Sequence, residues 1–354
     1  MTLTTMAREI AEQPAALART LEALRPLRPA IRELAASRRT VLFVARGSSD
    51  NAAVYGRYLL EVHAGHPAGL AAPSVGTHYG ARLDLSDAVV VSVSQSGETQ
   101  EIVEAQEWAA GCGARTIAVT NGADSALAKS ADLAMVTDAG RELAVPATKS
   151  YTAQLAAMAV LAGALASEPD ALDADLDRAP GEAERLIAEQ DGVDAAVEAL
   201  AATSEILVSG RGIAFGTALE TALKLEETCL RPVRGLSYAD LRHGPIAVVD
   251  AEHVAVLVAA QDGPMIGGMT ELANDLRDRG VGATIGIGGD AGFAAACDVA
   301  AGGPRLPELV APLALVVPAQ LIVEALARRL GLDPDAPRGL SKVTQTDPVD
   351  GGTT

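Results

Sequence analysis

The second half of this 354-residue chain repeats the first half at a nearly constant spacing. With Arg211 placed on Arg46, at an offset of 165 residues, the segment ILVSGRGIAFGTALETALKLEE aligns with VLFVARGSSDNAAVYGRYLLEV. Gln261 then falls on Gln95 at an offset of 166, and a later matching segment lies at 168. So small a drift over so long a span favours an internal duplication. The sequence therefore predicts two domains with the same fold, as its length allows.

Each half alternates short apolar strand patterns with helical patterns. In the first half the strand patterns cover residues 40–45, 70–75, 87–93 and 116–120, and each is followed by turn residues or a helix. This alternation is typical of an α/β fold with doubly wound parallel sheets. We predict a lead-in with two helical patterns (residues 1–36), a first domain (37–168), a connecting helix (169–202), a second domain (203–332) and a C-terminal tail (333–354).

The most informative turn follows the run of residues 89–93, which is apolar except for Ser92. It consists of Ser94-Gln95-Ser96-Gly97-Glu98-Thr99, and a helical pattern begins directly after it. Hydroxyl groups beside the free N–H groups of a helix N-terminus form a favourable site for an anion, and for phosphate in particular. One hydroxyl could serve only as a helix cap, but three hydroxyls and a glutamine amide exceed that need. We therefore predict a phosphate site at this turn.

The second copy lacks this chemistry. Ala260 and Asp262 occupy the positions of Ser94 and Ser96, and a carboxylate at the second position would repel a phosphate. We predict that only the N-terminal copy binds an anion.

Composition and spacing exclude several other classes of protein. The formal charge of −18 and the absence of a basic stripe disfavour a nucleic-acid partner. Three cysteines without ligand-like spacing, and no signal peptide or long apolar run, favour a cytoplasmic protein that does not enter the membrane. The glycines at 210–216 do not match the dinucleotide fingerprint, and neither a Walker lysine motif nor a ligand cluster occurs. We expect no organic cofactor and no metal.

Candidate catalytic side chains lie in the second half and near the C-terminus. Lys224 and Glu227 are three residues apart in a helical pattern and so share a face, although a surface charge ladder would have the same spacing. His243 directly precedes a Gly-Pro break. Lys342 follows a proline-rich segment that isolates it near the terminus.

Taken together, these motifs resemble the tandem sugar isomerase (SIS) domains that form the isomerase half of glucosamine-6-phosphate synthases. The resemblance covers about residues 39–346 and rests on the turn at 94–99, ELAVPATK at 142–149, ALKLEE at 222–227, LRHGP at 241–245 and PRGLSK at 337–342. It implies that substrate and phosphate are bound by Gly47, Ser48, Ser49, Ser94, Gln95, Ser96, Thr99, Val145 and Ala147.

The resemblance also implies a role for each catalytic candidate. Glu227 matches a residue that moves a proton between C1 and C2 of the open-chain sugar, and His243 matches one that promotes ring opening in the neighbouring subunit's site. Lys342 matches a lysine that forms an imine with the sugar carbonyl, and Lys224 matches one that assists near the reacting carbons. These roles fit ordinary chemistry, because a carboxylate, a histidine and a lysine nucleophile suit these three steps.

Two features depart from the synthases. The chain begins Met1-Thr2 rather than with the cysteine of a glutaminase domain, and Pro146-Ala147 replaces an Ala-Ser pair. Both departures favour related SIS enzymes that have no glutaminase domain. We expect a homodimer with a shared active site that converts glucosamine-6-phosphate to fructose-6-phosphate and ammonia, without glutaminase activity. Two alternatives stay open: a lyase that eliminates the C3 oxygen of an N-acetylated hexosamine phosphate, and a non-catalytic sugar-phosphate sensor.

Overall fold

Two five-stranded parallel sheets form the framework of the protein. The computed structural model describes residues 3–343, so the last eleven residues of the predicted tail, and residues 1 and 2, lie outside the described range. The strands are β1 (Thr40–Val44), β2 (Ala68–Leu70), β3 (Ala88–Val93), β4 (Arg115–Thr120), β5 (Leu133–Val136), β6 (Glu205–Gly210), β7 (Val233–Ser237), β8 (His253–Ala259), β9 (Ala283–Gly288) and β10 (Val299–Ala301).

The two sheets have the same topology. The first has the order β2-β1-β3-β4-β5, and the second has the corresponding order β7-β6-β8-β9-β10. Every strand pair is parallel. This confirms the predicted fold class of two tandem, doubly wound domains.

Helices surround both sheets. They are α1 (Thr5–Ala11), α2 (Gln13–Leu24), α3 (Arg28–Ala35), α4 (Ser48–Leu59), α5 (Ser74–Thr77), α6 (Gln100–Gly111), α7 (Ala126–Ser130), α8 (Lys149–Leu165), α9 (Asp173–Glu189), α10 (Val193–Ala201), α11 (Phe215–Cys229), α12 (Tyr238–Arg242), α13 (Ile266–Asp278), α14 (Ala291–Ala296) and α15 (Pro312–Arg329). None of the helices within residues 3–343 combines the length and the apolar character that a bilayer-spanning segment needs.

Three element predictions need correction. The strand expected at 70–75 ends at Leu70, and a short helix begins after Pro73, whose fixed φ suits the start of a helix. The lead-in contains three α-helices rather than the two patterns seen in the sequence. The predicted connecting helix is two helices, because Gln190 and Gly192 adopt left-handed backbone conformations between them.

Helix packing brings the two domains together. Residues 149–164 of α8 are all buried, and most of α15 is buried as well. The start of α15 packs in the core that contains α8, and the rest packs in the core of the second domain. The equivalent helices of the two copies, α4 and α11, also pack against each other. At Gly216 of α11, an added Cβ would lie 2.7 Å from the carbonyl oxygen of Asn51, so this close approach requires glycine. As a result, α11 of the second domain lies beside the first turns of α4 in the first domain.

Candidate active site

One cavity of about 380 Å³ contains nearly all of the predicted site residues. Among the catalytic candidates, Lys224, Glu227 and Lys342 line it. All nine residues predicted to bind substrate and phosphate line it as well, namely Gly47, Ser48, Ser49, Ser94, Gln95, Ser96, Thr99, Val145 and Ala147. The cavity is thus formed by the first domain's turns, by α11 of the second domain and by the C-terminal tail.

The serine-rich turn is held in place by its own hydroxyl groups and by β4. Ser94 Oγ accepts a hydrogen bond from the Gly97 N–H at 3.2 Å, and Ser96 Oγ accepts one from the Glu98 N–H at the same distance. Gly97 has a φ of +67°, and an added Cβ would lie 2.3 Å from Ser125 Oγ. Thr99 is the N-cap residue of α6 but makes no side-chain cap. Its hydroxyl is therefore not explained by capping.

A second helix N-terminus faces the same cavity. Gly47, with a φ of +59°, precedes α4, and Ser48 and Ser49 are the first two residues of that helix. Ser49 Oγ accepts a hydrogen bond from Gln154 Nε2 of α8 at 3.0 Å. The N-termini of two 12-residue helices, α4 and α6, thus face one cavity, where their free N–H groups and positive dipole ends favour negative charge.

In the second copy, carboxylates occupy the equivalent turn. Asp262 Oδ1 accepts a hydrogen bond from the Glu308 N–H at 2.7 Å, and an added Cβ at Gly263 would lie 2.1 Å from Glu308 Oε2. Burial, with the nearby Asp262 charge, raises the pKa of Glu308. An anion is disfavoured at this position.

The carboxylate and lysine of α11 form an ion pair at the cavity wall. Lys224 Nζ donates to Glu227 Oε2 and lies 3.5 Å from Glu220 Oε1. Burial alone would lower the pKa of Lys224, but the adjacent carboxylates of Glu220 and Glu227 outweigh it, so this pKa is raised. Burial raises the pKa of Glu220, whose other oxygen accepts from Asn51 Nδ2 at 2.9 Å. The wall therefore presents a fixed cation beside the Glu227 carboxyl group.

The tail lysine is bound to a buried carboxylate. Lys342 Nζ donates to Glu142 Oε2 and to the Ala144 carbonyl oxygen, each at 2.7 Å. Glu142 Oε1 also accepts from the backbone N–H groups of Thr148 and Ser150 at the start of α8. Burial opposes ionisation of Glu142, but Lys342, the Ser150 hydroxyl and the Thr148 N–H together hold its pKa below the ordinary value.

His243 lies apart from the cavity of its own chain. It follows α12 at an exposed position and is not among the cavity-lining residues. Its neighbours Arg242 and Gly244 are also exposed, and Val248 is a large apolar side chain that is 67% exposed. The structure thus brings together three of the four predicted catalytic residues and leaves His243 on another surface.

Several residues of the site were missed by the sequence reasoning. Arg46, Ser150 and Gln154 line the cavity, and Glu142 binds the tail lysine. Glu142 and Ser150 are at and just beyond the ends of the ELAVPATK segment, so the motif could have identified them. Within residues 3–343 no group of three side chains is arranged to hold a metal ion.

Comparison with known proteins agrees with this geometry. The family model for the SIS domain matches residues 33–164. A solved structure from Silicibacter pomeroyi, provisionally described as a phosphosugar isomerase, is 30% identical, has a TM-score of 0.82, and is covered over 94% of this chain and 100% of that one. The chain belongs to the SIS-domain family.

Two further relatives have more specific names. The C-terminal domain of glucosamine-fructose-6-phosphate aminotransferase from Francisella tularensis has a TM-score of 0.82 at 25% identity, with 95% of this chain and 99% of that one covered. An isomerizing glutamine–fructose-6-phosphate aminotransferase from Methanothermobacter thermautotrophicus is 32% identical over 340 residues. That match covers 95% of this chain but only 56% of the relative. The chain thus spans little more than half the length of that relative.

Proposed function

We propose that this SIS protein is an amino-sugar-phosphate deaminase and isomerase that converts glucosamine-6-phosphate to fructose-6-phosphate and ammonia. The observation that carries the proposal is that Lys224, Glu227 and Lys342 line the same cavity as the serine-rich turn. A phosphate bound at the two helix N-termini would fix one end of an open-chain sugar. The reacting carbons would then extend toward α11 and the tail.

In this proposal Glu227 moves the proton. It removes the proton from C2 of the open-chain aldose and returns it to C1. One proton of the C2 amine passes to the C1 oxygen in the same isomerisation, so that C1 becomes a primary alcohol and the amine becomes an imine. The raised pKa of Lys224 keeps its ammonium charged, so that it can stabilise negative charge developing on a sugar oxygen. A carboxyl group placed within reach of both carbons is suited to this transfer.

Lys342 completes the deamination. As a neutral amine, it adds to the C2 imine and displaces ammonia, which leaves C2 joined to its Nζ. Water then hydrolyses this second imine to fructose-6-phosphate and restores the lysine. Before this step Lys342 must leave Glu142, which holds it in the cavity wall.

The principal test compares two adjacent glutamates of α11. Glu227 lines the cavity described above, whereas Glu226 lines a separate pocket with Asp50 and Arg234. Glu227→Gln should lower turnover by at least about 10²-fold, the usual scale for loss of a general base. Glu226→Gln should retain activity. Turnover is measured as ammonia and fructose-6-phosphate formed from glucosamine-6-phosphate, with incorporation of solvent deuterium as a second readout.

The same assay separates the alternatives. Ultraviolet-absorbing enals formed from N-acetylglucosamine-6-phosphate would favour the lyase. Binding of sugar phosphates without turnover or deuterium exchange would favour the sensor. Normal turnover by Glu227→Gln together with loss in Glu226→Gln would contradict the assignment of the base.

A further inference from the structure

Helix α1, the loop at 142–145 and the C-terminal tail meet beside the cavity. Glu9 of α1 accepts hydrogen bonds from the N–H groups of Leu143 at 2.5 Å and Ala144 at 3.2 Å. The N–H of Val145, a cavity residue, donates to the carbonyl oxygen of Asp335 at 2.8 Å. Three successive backbone N–H groups of this loop are therefore bound by α1 and by the C-terminal tail.

Asp335 also joins the tail directly to α1. Its Oδ2 accepts from the Thr5 N–H at 2.8 Å, and its Oδ1 accepts from the Met6 N–H at 2.7 Å. These donors are among the first N–H groups of α1, which lack partners within the helix and attract negative charge. Met6 and Ile10 are fully buried in the core, so α1 is a fixed support.

The stretch between Asp335 and Lys342 is not held by burial alone. Residues 338–341, which directly precede Lys342, are all exposed. Lys342 itself is bound on the far side of this stretch by Glu142 and the Ala144 carbonyl. An exposed segment has few packing contacts to hold it, so a fixed contact just before the segment adds to the hold that Glu142 has on Lys342.

We propose that Asp335 is a positioning residue for Lys342. By binding the start of α1, it fixes the origin of the exposed stretch and thereby places Lys342 beside Glu142 in the cavity wall. Only the catalytic meaning of this placement rests on the proposed function. The placement itself can be measured without turnover.

The experiment measures how readily Lys342 reacts with limiting acetic anhydride, quantified by mass spectrometry of the full chain after digestion. Asp335→Asn removes the charge that two helix N–H groups bind, and its amide nitrogen faces a donor. We expect acetylation of Lys342 to become about tenfold faster, the scale set by loss of one charge-assisted hydrogen bond. The buried Lys149 and Lys224 should keep their wild-type rates.

The matched control is Asp333→Asn. Asp333 Oδ1 accepts only a local hydrogen bond from the Asp335 N–H at 2.9 Å, which an asparagine oxygen can also accept. This variant should label like the wild type. Affinity for inorganic phosphate should be unchanged in both variants, whereas turnover of glucosamine-6-phosphate should fall in Asp335→Asn alone.

A second variant tests the same contact from the other side. Thr5→Pro removes the N–H that Asp335 Oδ2 binds, at the first helical position, where proline is well tolerated. Thr4 has a φ of −63° and a ψ of 162°, which suit a residue before proline. Faster labelling of Lys342 is expected here too, and this variant decides the question if Asp335→Asn does not fold.

Unchanged labelling of Lys342 in these variants would overturn the inference. So would a parallel rise at Lys149 and Lys224, because that would indicate general loosening rather than release of the tail. A wild-type protein without any turnover would refute the proposed function, yet the labelling rates would still decide whether Asp335 positions Lys342.

Discussion

The hydroxyl groups of the serine-rich turn have two separate uses. Ser94 and Ser96 each accept a backbone N–H from within the turn, and this uses an acceptor lone pair of the oxygen. A serine hydroxyl also has one O–H donor, which it can rotate toward a ligand. The same side chains can therefore shape the turn and donate to a phosphate.

The first residue-scale prediction copies the second repeat into the first. Ser96→Asp places a carboxylate where the phosphate is expected, as Asp262 does in the second copy. Juxtaposed like charges cost several kcal/mol, so affinity for glucosamine-6-phosphate should fall by about a hundredfold or more. Isothermal titration calorimetry measures the change. The reverse substitution, Asp262→Ser, should leave the affinity unchanged. If Ser96→Asp binds glucosamine-6-phosphate as tightly as the wild type does, the phosphate does not bind at this turn.

Glu142 gives a prediction about pH. Folding lowers the pKa of its buried carboxyl group below the ordinary pKa of 4.5. The carboxylate therefore stabilises the protein fully above pH 4.5, and this stabilisation is lost as the pH falls through the lower pKa of the folded state. Glu142→Gln should lower the free energy of unfolding at pH 7 by about 2–3 kcal/mol, the scale of hydrogen bonds to a charged group. The difference from wild type should shrink below about pH 4.5.

Chemical denaturation at a series of pH values measures this difference. Glu33→Gln is a suitable control, since Glu33 is exposed and such substitutions change stability by about 0.5 kcal/mol or less. A destabilisation of Glu142→Gln that stays constant from neutral to acidic pH would show that the carboxylate charge is not responsible.

At the scale of elements, the sequence predicted a strand or turn correctly where a local pattern alone determines that element. The largely apolar segment at 89–93 forms most of the central strand β3, and the turn after it lines the cavity, because a buried strand and a polar turn are both local patterns. The prediction of a strand at 70–75 was wrong because Pro73 and Ser74 favour the start of a helix, and this preference outweighed the short apolar run.

Contacts between distant elements could not be predicted in this way. The pairing of Lys342 with Glu142 joins residues 200 positions apart. The close approach of α11 to α4 depends on the small size of Gly216. A helical sequence pattern does not reveal which of its small residues contacts another helix. Motif resemblance supplied the members of the site, and only the structure shows which of them touch.

At the scale of the whole molecule, the two domains share one topology but contribute different groups to the cavity. The first domain contributes the serine-rich turn, and the second contributes Lys224 and Glu227 from α11, while its own turn contains the carboxylate of Asp262. His243 does not line the cavity of its own chain. If it acts in the reaction, a second copy of the chain has to deliver it.

The last prediction tests that delivery. If the protein forms the homodimer that the sequence resemblance implies, His243→Ala and Glu227→Gln dimers should each be nearly inactive. When equal amounts are mixed and allowed to exchange subunits, half of the dimers become heterodimers, and each heterodimer has one site without either substitution. About a quarter of the wild-type turnover should then return.

The control uses two residues that the structure places in the cavity of one chain. Mixing Glu227→Gln with Lys342→Ala should restore nothing, because every site in such a heterodimer contains one of the two substitutions. Mass spectrometry of the intact dimers establishes that exchange has occurred in both mixtures. Failure of the His243 mixture to regain activity after exchange would mean that His243 does not serve a neighbouring subunit's site.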